Sequence, residues 1–300
     1  MKKLLFTGGT GFLGYNCKPI LDKEYEVTTC GITDRDDIKA NLAIEVPCFP
    51  SKYDVVLHAC GKAHVVPKSE EEKQQFYDIN YQGTVNLCKG LEIIGVPKSL
   101  IFISTASVYG LEEGELIDEN YPLLAESPYG RSKIMAENFL QEWCKKNQVI
   151  LTIFRPSLMA GSNAPGNLGA MVKGIKRGFY VNIAGGEARK SLMMAEDIAK
   201  LVVLAENKGG IYNVCDDTHP SYLELSIVIS QQLGKRKPIS IPYWVAWCMA
   251  KVGDCLGKKA PINSYRLNKL TTSITLNNSK AKRELGWEPK NVLKCLKLNT

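Results

Sequence analysis

The chain has 300 residues, of which 45% are hydrophobic, and it carries 38 Lys and Arg against 31 Asp and Glu, a net charge of +7. This size and composition suit one large α/β unit or two fused lobes, and they exclude collagen-like, low-complexity and intrinsically disordered proteins. The positive charge is interpreted as spread along the chain, with Lys235-Arg236-Lys237 and Lys280–Arg283 as solvated surface, so nucleic-acid binding is not expected.

Ten cysteines are scattered without a CxxC pair or a Cys/His cluster of zinc-like spacing, which predicts no metal site and favours a reducing compartment. The apolar run after Met1 is too short for a signal peptide, and no window reaches transmembrane length. The segment Ile239–Gly257 is apolar enough to touch a membrane, but Lys251 and Asp254 interrupt it, which favours a packed helix. We therefore expect a cytoplasmic protein without stable membrane insertion.

The first half of the chain alternates short apolar runs with helical stretches. Predicted strands cover Lys3–Thr7, Glu26–Cys30, Val55–Ala59, Leu100–Ser104 and Ile150–Phe154. Predicted helices cover Leu13–Asp22, Glu71–Glu92 and Tyr129–Lys146. Alternation at this spacing predicts right-handed βαβ units in a Rossmann-type, doubly wound parallel sheet, and continuous apolar strands are typical of a sheet covered on both faces.

After Pro156 the alternation weakens. Helices are predicted at Leu168–Arg177, Glu196–Glu206, Tyr222–Leu233, Trp244–Leu256 and Ser279–Leu285, with one further sheet strand at Ile211–Val214. We expect an α/β protein in which residues 1–165, joined again by 189–216, form a dinucleotide-binding domain. Residues 166–188 and 217–300 would form a smaller, mostly helical substrate lobe over the carboxyl ends of the strands, where open α/β sheets bind ligands.

A glycine-rich loop, Thr7–Gly14, directly follows the first predicted strand and opens the first predicted helix. Its GxxGxxG spacing places Gly8 at the tight turn, Gly11 where the backbone approaches a pyrophosphate, and Gly14 where helix and strand pack closely. The helix start offers backbone amides and a positive dipole to the phosphates. The loop therefore predicts a dinucleotide site, with a purely structural glycine turn as the alternative.

The end of the second predicted strand lacks the carboxylate that usually binds the adenosine ribose. Cys30 ends that strand and Gly31 follows, with Asp34 and Arg35 beyond them. Arg35 would meet a 2′-phosphate, which slightly favours NADP, whereas Asp34 turned inward would suit NAD. The cofactor is thus expected to be NAD or NADP, with a slight preference for NADP.

Tyr129 and Lys133 lie four residues apart, on one face of a predicted helix. The unperturbed pKa of tyrosine, about 10, is too high for acid–base chemistry at neutral pH, but a nearby lysine cation favours the phenolate. Lys133 would also hold the hydroxyls of the nicotinamide ribose, and Thr105, just after the fourth strand, would bond a substrate oxygen. An exposed helix start and a strand-end threonine are the alternatives without a function.

With these residues assembled, the chain resembles the extended short-chain dehydrogenase/reductases, specifically their NAD-dependent epimerase/dehydratase branch, over nearly its whole length. The motifs that carry the resemblance are TGGTGFLG (Thr7–Gly14), DVVLHACG (Asp54–Gly61), NYQGT (Asn80–Thr84), ISTASVYG (Ile103–Gly110), PYGRSK (Pro128–Lys133), Arg155-Pro156, Tyr212-Asn213-Val214 and SKAKRELGWEP (Ser279–Pro289). The resemblance implies that Thr105, Tyr129 and Lys133 are the catalytic trio.

The motifs and the resemblance together predict the binding residues. Those predicted for the cofactor are Gly8, Gly11, Phe12, Leu13, Gly14, Asp34, Arg35, Ala59, Cys60, Gly61, Asn80, Ser104, Tyr129, Lys133 and Pro156. Those predicted for the substrate are Thr105, Ser107, Asn167, Leu168, Arg189 and Lys190. By the resemblance, Asn167-Leu168 would contact the diphosphate of a sugar nucleotide, and Arg189 or Lys190 would bind a phosphate.

Two departures narrow the chemistry that the family implies. Ala106-Ser107 follow Thr105 where nucleotide-sugar dehydratases carry an Asp-Glu pair, so elimination is not expected. Cys60 and His64 lie on another loop and His58 is interpreted as a strand-end residue, which disfavours the epimerase/reductases that use a Cys and a His to deprotonate carbons beside a ketone.

Hydride transfer at a sugar carbon remains. The favoured function is reduction of a nucleotide-linked 4-keto sugar, of the UDP-N-acetylhexosamine type, in surface polysaccharide biosynthesis. A nucleotide-sugar 4-epimerase with tightly bound NAD is the alternative, and a non-catalytic protein that senses a dinucleotide is an alternative of another class. A homodimer formed through Glu71–Glu92 and Tyr129–Lys146 is a further expectation.

Overall fold

The computed structural model describes residues 1–256 and 262–298, and its centre is a seven-stranded parallel sheet. The strands are β1 (Lys2–Thr7), β2 (Tyr25–Gly31), β3 (Ile38–Lys39), β4 (Val55–His58), β5 (Ser99–Ile103), β6 (Gly114–Ile117), β7 (Ile150–Pro156), β8 (Leu158–Ala160), β9 (Asn182–Ile183), β10 (Leu192–Met194), β11 (Gly210–Val214), β12 (Ser240–Ile241) and β13 (Ile274–Leu276). The sheet order is β3–β2–β1–β4–β5–β7–β11, with every neighbouring pair parallel. The Rossmann-type doubly wound sheet is thus confirmed.

Helices cover both faces of this sheet and build much of the C-terminal part. They are α1 (Phe12–Leu21), α2 (Glu70–Tyr77), α3 (Gly83–Ile94), α4 (Pro128–Asn147), α5 (Gly166–Arg177), α6 (Asp197–Ala205), α7 (Tyr222–Gln232), α8 (Tyr243–Leu256), α9 (Ser264–Thr271), α10 (Ser279–Leu285) and α11 (Val292–Cys295). Within residues 1–256 and 262–298, no helix is both long and apolar enough to cross a bilayer.

The side chains of the central strands alternate between two buried clusters, one on each face of the sheet. Leu4 and Phe6 of β1 pack in the cluster that contains α1 and α6 residues, whereas Leu5 packs in the cluster that contains α3 and α4 residues. Successive strand side chains point to opposite faces, so a strand covered on both sides must be apolar throughout. This requirement explains the continuous apolar runs in the sequence.

The chain moves to opposite sides of β1 when it forms β2 and β4, so the topological switch point of the sheet lies between β1 and β4. Ligands of such sheets bind in the crevice outside the carboxyl ends of the strands. The loops that follow β1, β4, β5 and β7 leave the sheet at this same edge.

The helix expected at Glu71–Glu92 is not a single α-helix. Tyr77 ends α2, a π-helical turn covers Asp78–Gln82, and Gly83 begins α3. Single π-helical turns inside helices frequently lie at functional sites. Here the turn carries Asn80, a predicted cofactor residue.

The C-terminal part has small cores of its own, of which one joins Leu168, Ile229 and Val292. The apolar segment Ile239–Gly257 was expected to form a packed helix, and its helix α8 packs through one stripe against α9. Its helix α8 buries only the small residues of one stripe, and most of its large side chains are exposed. Gly257, the last residue of that segment, lies outside the described residues.

Candidate active site

The glycine loop between β1 and α1 has the close backbone approaches that its spacing predicts. Gly8 has a φ of +76°, and a Cβ there would lie 3.0 Å from the Cα of Cys60. A Cβ at Gly14 would lie 1.8 Å from the carbonyl oxygen of Gly9. Gly11 caps α1 without a side chain, so the first-turn amides remain for a ligand, as phosphate-binding helix starts require. Phe12 and Leu13 open the helix, with Leu13 buried in the core.

Asp36 is the acidic residue that lies against the glycine loop, and the sequence analysis did not name it. Asp34 and Arg35 are exposed, and Asp34 pairs with Lys39. Asp36 is buried, and its Oδ2 accepts hydrogen bonds from the hydroxyls of Thr10, at 3.1 Å, and Thr33, at 2.7 Å. Its Oδ1 is buried without a partner among the described residues. The structure therefore supplies a carboxylate with a free oxygen where the sequence analysis found none.

Sequence reasoning missed Asp36 because it lies five residues beyond the end of β2. The turn from Thr33 to Asp36, closed by a backbone hydrogen bond of 3.1 Å, brings it back against Gly31. A Cβ at Gly31 would lie 2.7 Å from Asp36 Oδ2, so the glycine makes room for this carboxylate. The available signal was Gly31 at the end of the strand, followed by a Thr and an Asp three residues apart that can form a turn.

A chain of buried hydrogen bonds through His58 ties β1 and β4 to the π-helical turn. The Thr84 hydroxyl donates to the carbonyl oxygen of Asn80 at 2.7 Å, so it accepts from His58 Nε2 at 2.9 Å. The other ring nitrogen, Nδ1, then accepts from the Thr7 hydroxyl at 2.7 Å. Burial, with the charge of Lys133, lowers the pKa of His58 to about 3, so the imidazole is neutral. The sequence analysis treated His58 as a simple strand-end residue.

Asn80 fastens the loop after β4 to helix α4. Its Oδ1 accepts from the Lys62 amide at 2.7 Å, and its Nδ2 donates to the Ser132 hydroxyl at 2.9 Å. This loop begins with the predicted cofactor residues Ala59, Cys60 and Gly61. A Cβ at Gly61 would lie 3.0 Å from Asn80 Oδ1 and 3.5 Å from Lys133 Nζ. The β4 loop, the π-helical turn and helix α4 therefore meet at one point.

Helix α4 places Tyr129 and Lys133 at the carboxyl end of β5. Ser127 caps the helix by accepting from the Gly130 amide at 3.1 Å. Burial raises the pKa of Tyr129, and the nearby Thr105 side chain opposes that rise. The buried Lys133 donates from Nζ to the Ile103 carbonyl at 2.7 Å, and burial lowers its pKa to about 8. The three predicted catalytic residues are thus together.

A buried ion pair between Glu137 and Arg155 lies beneath this trio. Arg155 Nη2 donates to Glu137 Oε2 at 2.6 Å, and Ser104 donates its hydroxyl hydrogen to Glu137 Oε1. Arg155 also donates to the Tyr109 hydroxyl at 3.2 Å. Glu137 follows Lys133 by four residues, so both side chains lie on the same face of α4. The ion pair holds that face in place, and Glu137 also holds Ser104, the residue before Thr105. The sequence analysis assigned neither ion-pair residue a role.

The predicted substrate residues fall into different environments. Ser107 is exposed, and its amide donates to Thr105 Oγ1 at 3.1 Å. Asn167 is exposed in the first turn of α5, whereas Leu168 packs its side chain into the core of the C-terminal part. Arg189 donates to the carbonyl oxygen of His219 at 3.1 Å and pairs with Glu224. Only Leu168 is therefore unavailable to a ligand through its side chain.

The other predicted residues of this region are Lys190 and Pro156. Burial lowers the pKa of Lys190 to about 8; the charge of Lys269 acts in the same direction, and that of Glu112 opposes it. Pro156 is buried at the end of β7, at the edge of the sheet where the other site residues lie.

His64 is a further residue of this region that the sequence analysis set aside. It has a φ of +62°, and a Cβ at Gly166, where α5 begins, would lie 2.8 Å from its Nδ1. Burial lowers the pKa of His64, which favours a neutral imidazole. The loop after β4 therefore reaches from the glycine loop to the start of α5.

The comparison with known proteins gives the family. The model of the NAD dependent epimerase/dehydratase family matches residues 4–215. An Escherichia coli O157:H7 relative, N-acetyl-α-D-glucosaminyl-diphospho-ditrans,octacis-undecaprenol 4-epimerase, is 29% identical over 92% of this chain and 88% of its own. The UDP-glucose 4-epimerase of Vibrio cholerae is 28% identical over 97% of this chain and 92% of its own.

Solved structures agree on the fold. A Thermotoga maritima UDP-glucose 4-epimerase with UDP-glucose superposes with a TM-score of 0.74 at 22% identity, covering 98% of this chain and 96% of its own. The RMD protein of Pseudomonas aeruginosa in complex with NADPH gives a TM-score of 0.74 at 19% identity, covering 99% of this chain and 96% of its own.

Proposed function

Because this chain belongs to the NAD-dependent epimerase/dehydratase family, and is an enzyme of the extended short-chain dehydrogenase/reductase type that uses a nicotinamide dinucleotide, we propose that it is a 4-epimerase of a sugar carried on a diphosphate. The observation that carries the proposal is a site with one proton-transferring group, the Tyr129 phenol, beside Thr105 and Lys133. In the described residues, the turn after Thr105, Ala106–Tyr109, holds no carboxylate. Such a site suits oxidation and reduction at a single carbinol.

The cofactor fits the residues present. The close-packed glycine loop and the uncapped start of α1 suit the pyrophosphate, and the unpartnered Oδ1 of Asp36 suits an adenosine ribose hydroxyl. A buried carboxylate there would repel a 2′-phosphate, so we infer NAD in place of the NADP preference drawn from Arg35. We also propose that residues 1–165 together with 189–216 bind the dinucleotide. Residues 166–188 together with 217–300 would then form the substrate lobe.

The chain's own residues carry the proton chemistry. When bound, the dinucleotide supplies the acceptor and donor of the hydride. Tyr129 takes the proton from the sugar hydroxyl during oxidation and returns one to the ketone oxygen during reduction, while Thr105 holds that oxygen through its hydroxyl. Lys133, with a pKa of about 8, is mostly cationic at neutral pH and favours the phenolate electrostatically. Inversion requires the ketone to present its opposite face before the second transfer.

The relatives favour epimerisation over the reduction that the sequence analysis preferred, because both close relatives described above are 4-epimerases. Reduction of a nucleotide-linked 4-keto sugar would use the same residues and stays a prediction. We propose a nucleoside diphosphate or a polyprenyl diphosphate as the carrier, since the two relatives differ in that respect.

The test is product analysis with purified protein. UDP-glucose and UDP-N-acetylglucosamine are incubated with it, and the products are separated by anion-exchange chromatography while absorbance at about 340 nm is followed. We expect conversion to the 4-epimer without net change in absorbance. Stoichiometric loss of NADPH absorbance with a UDP-4-keto sugar, and no epimer, would instead establish the reductase.

Tyr129→Phe identifies the proton-transferring group. Removing the hydroxyl leaves the ring and the helix in place, so we expect kcat to fall by roughly 10²- to 10⁴-fold with native folding by circular dichroism. Tyr121→Phe is the matched control, because Tyr121 is an exposed tyrosine of the neighbouring loop. Equal activity of both variants would show that Tyr129 does not transfer the proton.

A further inference from the structure

Helix α8 is built with its small residues inward and its large apolar residues outward. Ala246, Ala250 and Gly253 are its buried residues, and their spacing of four and three residues forms one stripe. This stripe packs beside Leu267 of α9. Because a helix repeats every 3.6 residues, the side chains opposite the stripe point to solvent.

The exposed large apolar side chains of this helix form what we name the α8 face. Its residues are Tyr243, Trp244, Trp247, Met249, Val252 and Leu256. Trp244 is 68% exposed, Val252 59% and Leu256 65%, and even Trp247 is 46% exposed. A cluster of large apolar side chains of this kind marks an interaction surface, whereas scattered single ones do not.

Positive charge is concentrated in the stretch of sequence that contains this face. Residues 235–270 contain eight Lys and Arg against one Asp, a net charge of +7, which equals the net charge of the whole chain. The sequence-based view that the excess is spread evenly is therefore wrong. The remaining residues balance, and no Glu lies within 235–270.

Two lysines in the described part of this segment lie beside aromatic rings. Lys251 Nζ lies 5.6 Å from the ring centre of Trp247, and Lys269 Nζ lies 4.3 Å from that of Tyr265. The one acidic residue, Asp254, accepts hydrogen bonds from the backbone amide of Ser264 at 2.9 Å and from its hydroxyl at 2.5 Å. The α8 face therefore combines tryptophan and aliphatic side chains, and it belongs to a segment of net positive charge.

We propose that the α8 face docks this protein on the surface of an anionic lipid bilayer. Tryptophan and tyrosine favour the level of lipid headgroups, and basic residues near the surface are attracted to anionic lipids. An amphipathic helix with such a face lies in the interface plane and does not cross the bilayer. A second copy of this segment would bring no carboxylate to pair with these basic residues except Asp254, which is already bonded to Ser264. The proposal is independent of the sugar chemistry.

The chain's tryptophans allow a direct test. Of the four, Trp143 and Trp287 are buried and only Trp244 and Trp247 are exposed. Addition of vesicles of phosphatidylglycerol and phosphatidylethanolamine should shift the fluorescence to shorter wavelength and carry the protein into the vesicle pellet. Vesicles of phosphatidylcholine alone should do neither. Absence of binding to anionic vesicles, or equal binding to both, overturns the proposal.

Two sets of variants assign the binding to this surface. Trp244→Ser with Trp247→Ser should abolish sedimentation with the vesicles. Lys235→Gln, Arg236→Gln and Lys237→Gln should lower the affinity for anionic vesicles by about fivefold for each charge removed. The matched control is Ile93→Ser with Val203→Ser, which removes exposed apolar side chains from α3 and α6. Retained binding by the tryptophan variant, with native circular dichroism, overturns the assignment.

A second copy of the chain is the competing occupant of the α8 face. Light scattering after size-exclusion chromatography should give the same mass for the wild-type protein and the tryptophan variant. A wild-type dimer that becomes a monomer in the variant would assign the face to self-association and overturn the proposal.

Discussion

The NAD preference that we propose depends on Asp36. Its Oδ2 accepts hydrogen bonds from the hydroxyls of Thr10 and Thr33, and its Oδ1 has no partner within residues 1–256 and 262–298. Asp36→Asn removes a charged acceptor, and a charge-assisted hydrogen bond contributes about 1.5–3 kcal/mol, so we expect NAD affinity to fall by about tenfold or more. Affinity for NADP should fall less or rise, because a repulsive charge is lost. Titration calorimetry with both dinucleotides measures the ratio.

Asp34→Asn is the matched control for that measurement. Asp34 is two residues away, exposed and paired with Lys39. Its variant should leave both affinities unchanged. If Asp34→Asn weakened NAD binding and Asp36→Asn did not, the ribose contact inferred for Asp36 would be wrong, and the original expectation for Asp34 would hold.

His58 makes the stability of the fold sensitive to acid. The ordinary pKa of histidine is 6.5, whereas burial and Lys133 lower that of His58 to about 3. Between these values the unfolded chain binds a proton that the folded chain does not, so the free energy of unfolding decreases as the pH falls. The contribution of this residue between pH 7 and 5 is about 2 kcal/mol, and it is absent above pH 7.

His58→Gln isolates this contribution, since an amide offers a donor and an acceptor but does not titrate. Urea unfolding at pH 7 and pH 5 should show a smaller loss of stability for the variant than for the wild type, by that same about 2 kcal/mol. The comparison uses the difference between two pH values, so a general destabilisation by the substitution cancels. Identical pH dependence in both proteins would show that His58 titrates normally in the folded state.

At the scale of elements, the Glu137–Arg155 pair connects α4 to β7 beneath the catalytic residues. Both side chains are almost fully buried, so removing one partner leaves an uncompensated charge. Glu137→Leu or Arg155→Met alone should lower the free energy of unfolding by about 3–5 kcal/mol. The double variant should lose much less than the sum, because no buried charge is left unpaired. Urea unfolding of the four proteins completes the cycle, and additive losses would contradict the coupling.

The elements also show which parts of this structure the sequence reveals. The strands were predictable because a sheet covered on both faces needs apolar residues throughout, as in Leu4–Phe6 of β1. The trio Thr105, Tyr129 and Lys133 was predicted from motifs at a strand end and a helix start, and the structure brings those two places together through the bond from Lys133 to Ile103. The break at Asp78–Gln82 could not be predicted, since α-helix and π-helical turn share the same apolar pattern over so few residues.

Two further features depended on tertiary structure. Asp36 reaches the glycine loop only because a turn folds back on Gly31, and the turn conformation is not determined by the number of residues after the strand. For α8, a packed helix was expected, without a prediction of which face is covered. The sequence pattern did not reveal that Ala246 and Ala250 form the inner stripe and Trp244 lies outside, because packing partners decide which face is covered.

For the whole molecule, the distribution of charge bears on the choice of carrier. The net charge of +7 lies in one segment around α8, while the dinucleotide site belongs to the sheet. A protein held at a bilayer surface meets a polyprenyl-carried sugar at high local concentration, whereas a nucleoside diphosphate sugar reaches it from solution. Membrane docking should therefore affect turnover of the first substrate and not of the second.

This difference gives a prediction that rests on both the epimerase and the docking proposals. In vesicles of phosphatidylglycerol and phosphatidylethanolamine, Trp244→Ser with Trp247→Ser should lower kcat/KM for N-acetylglucosaminyl diphosphate carried on a polyprenol by about tenfold or more. Its kcat/KM for UDP-N-acetylglucosamine should stay within about twofold of the wild-type value, since the catalytic trio is untouched. Tyr129→Phe should abolish both activities, which separates loss of docking from loss of chemistry. Equal losses on both substrates in the tryptophan variant would mean that α8 supports the site itself and not its access to a bilayer.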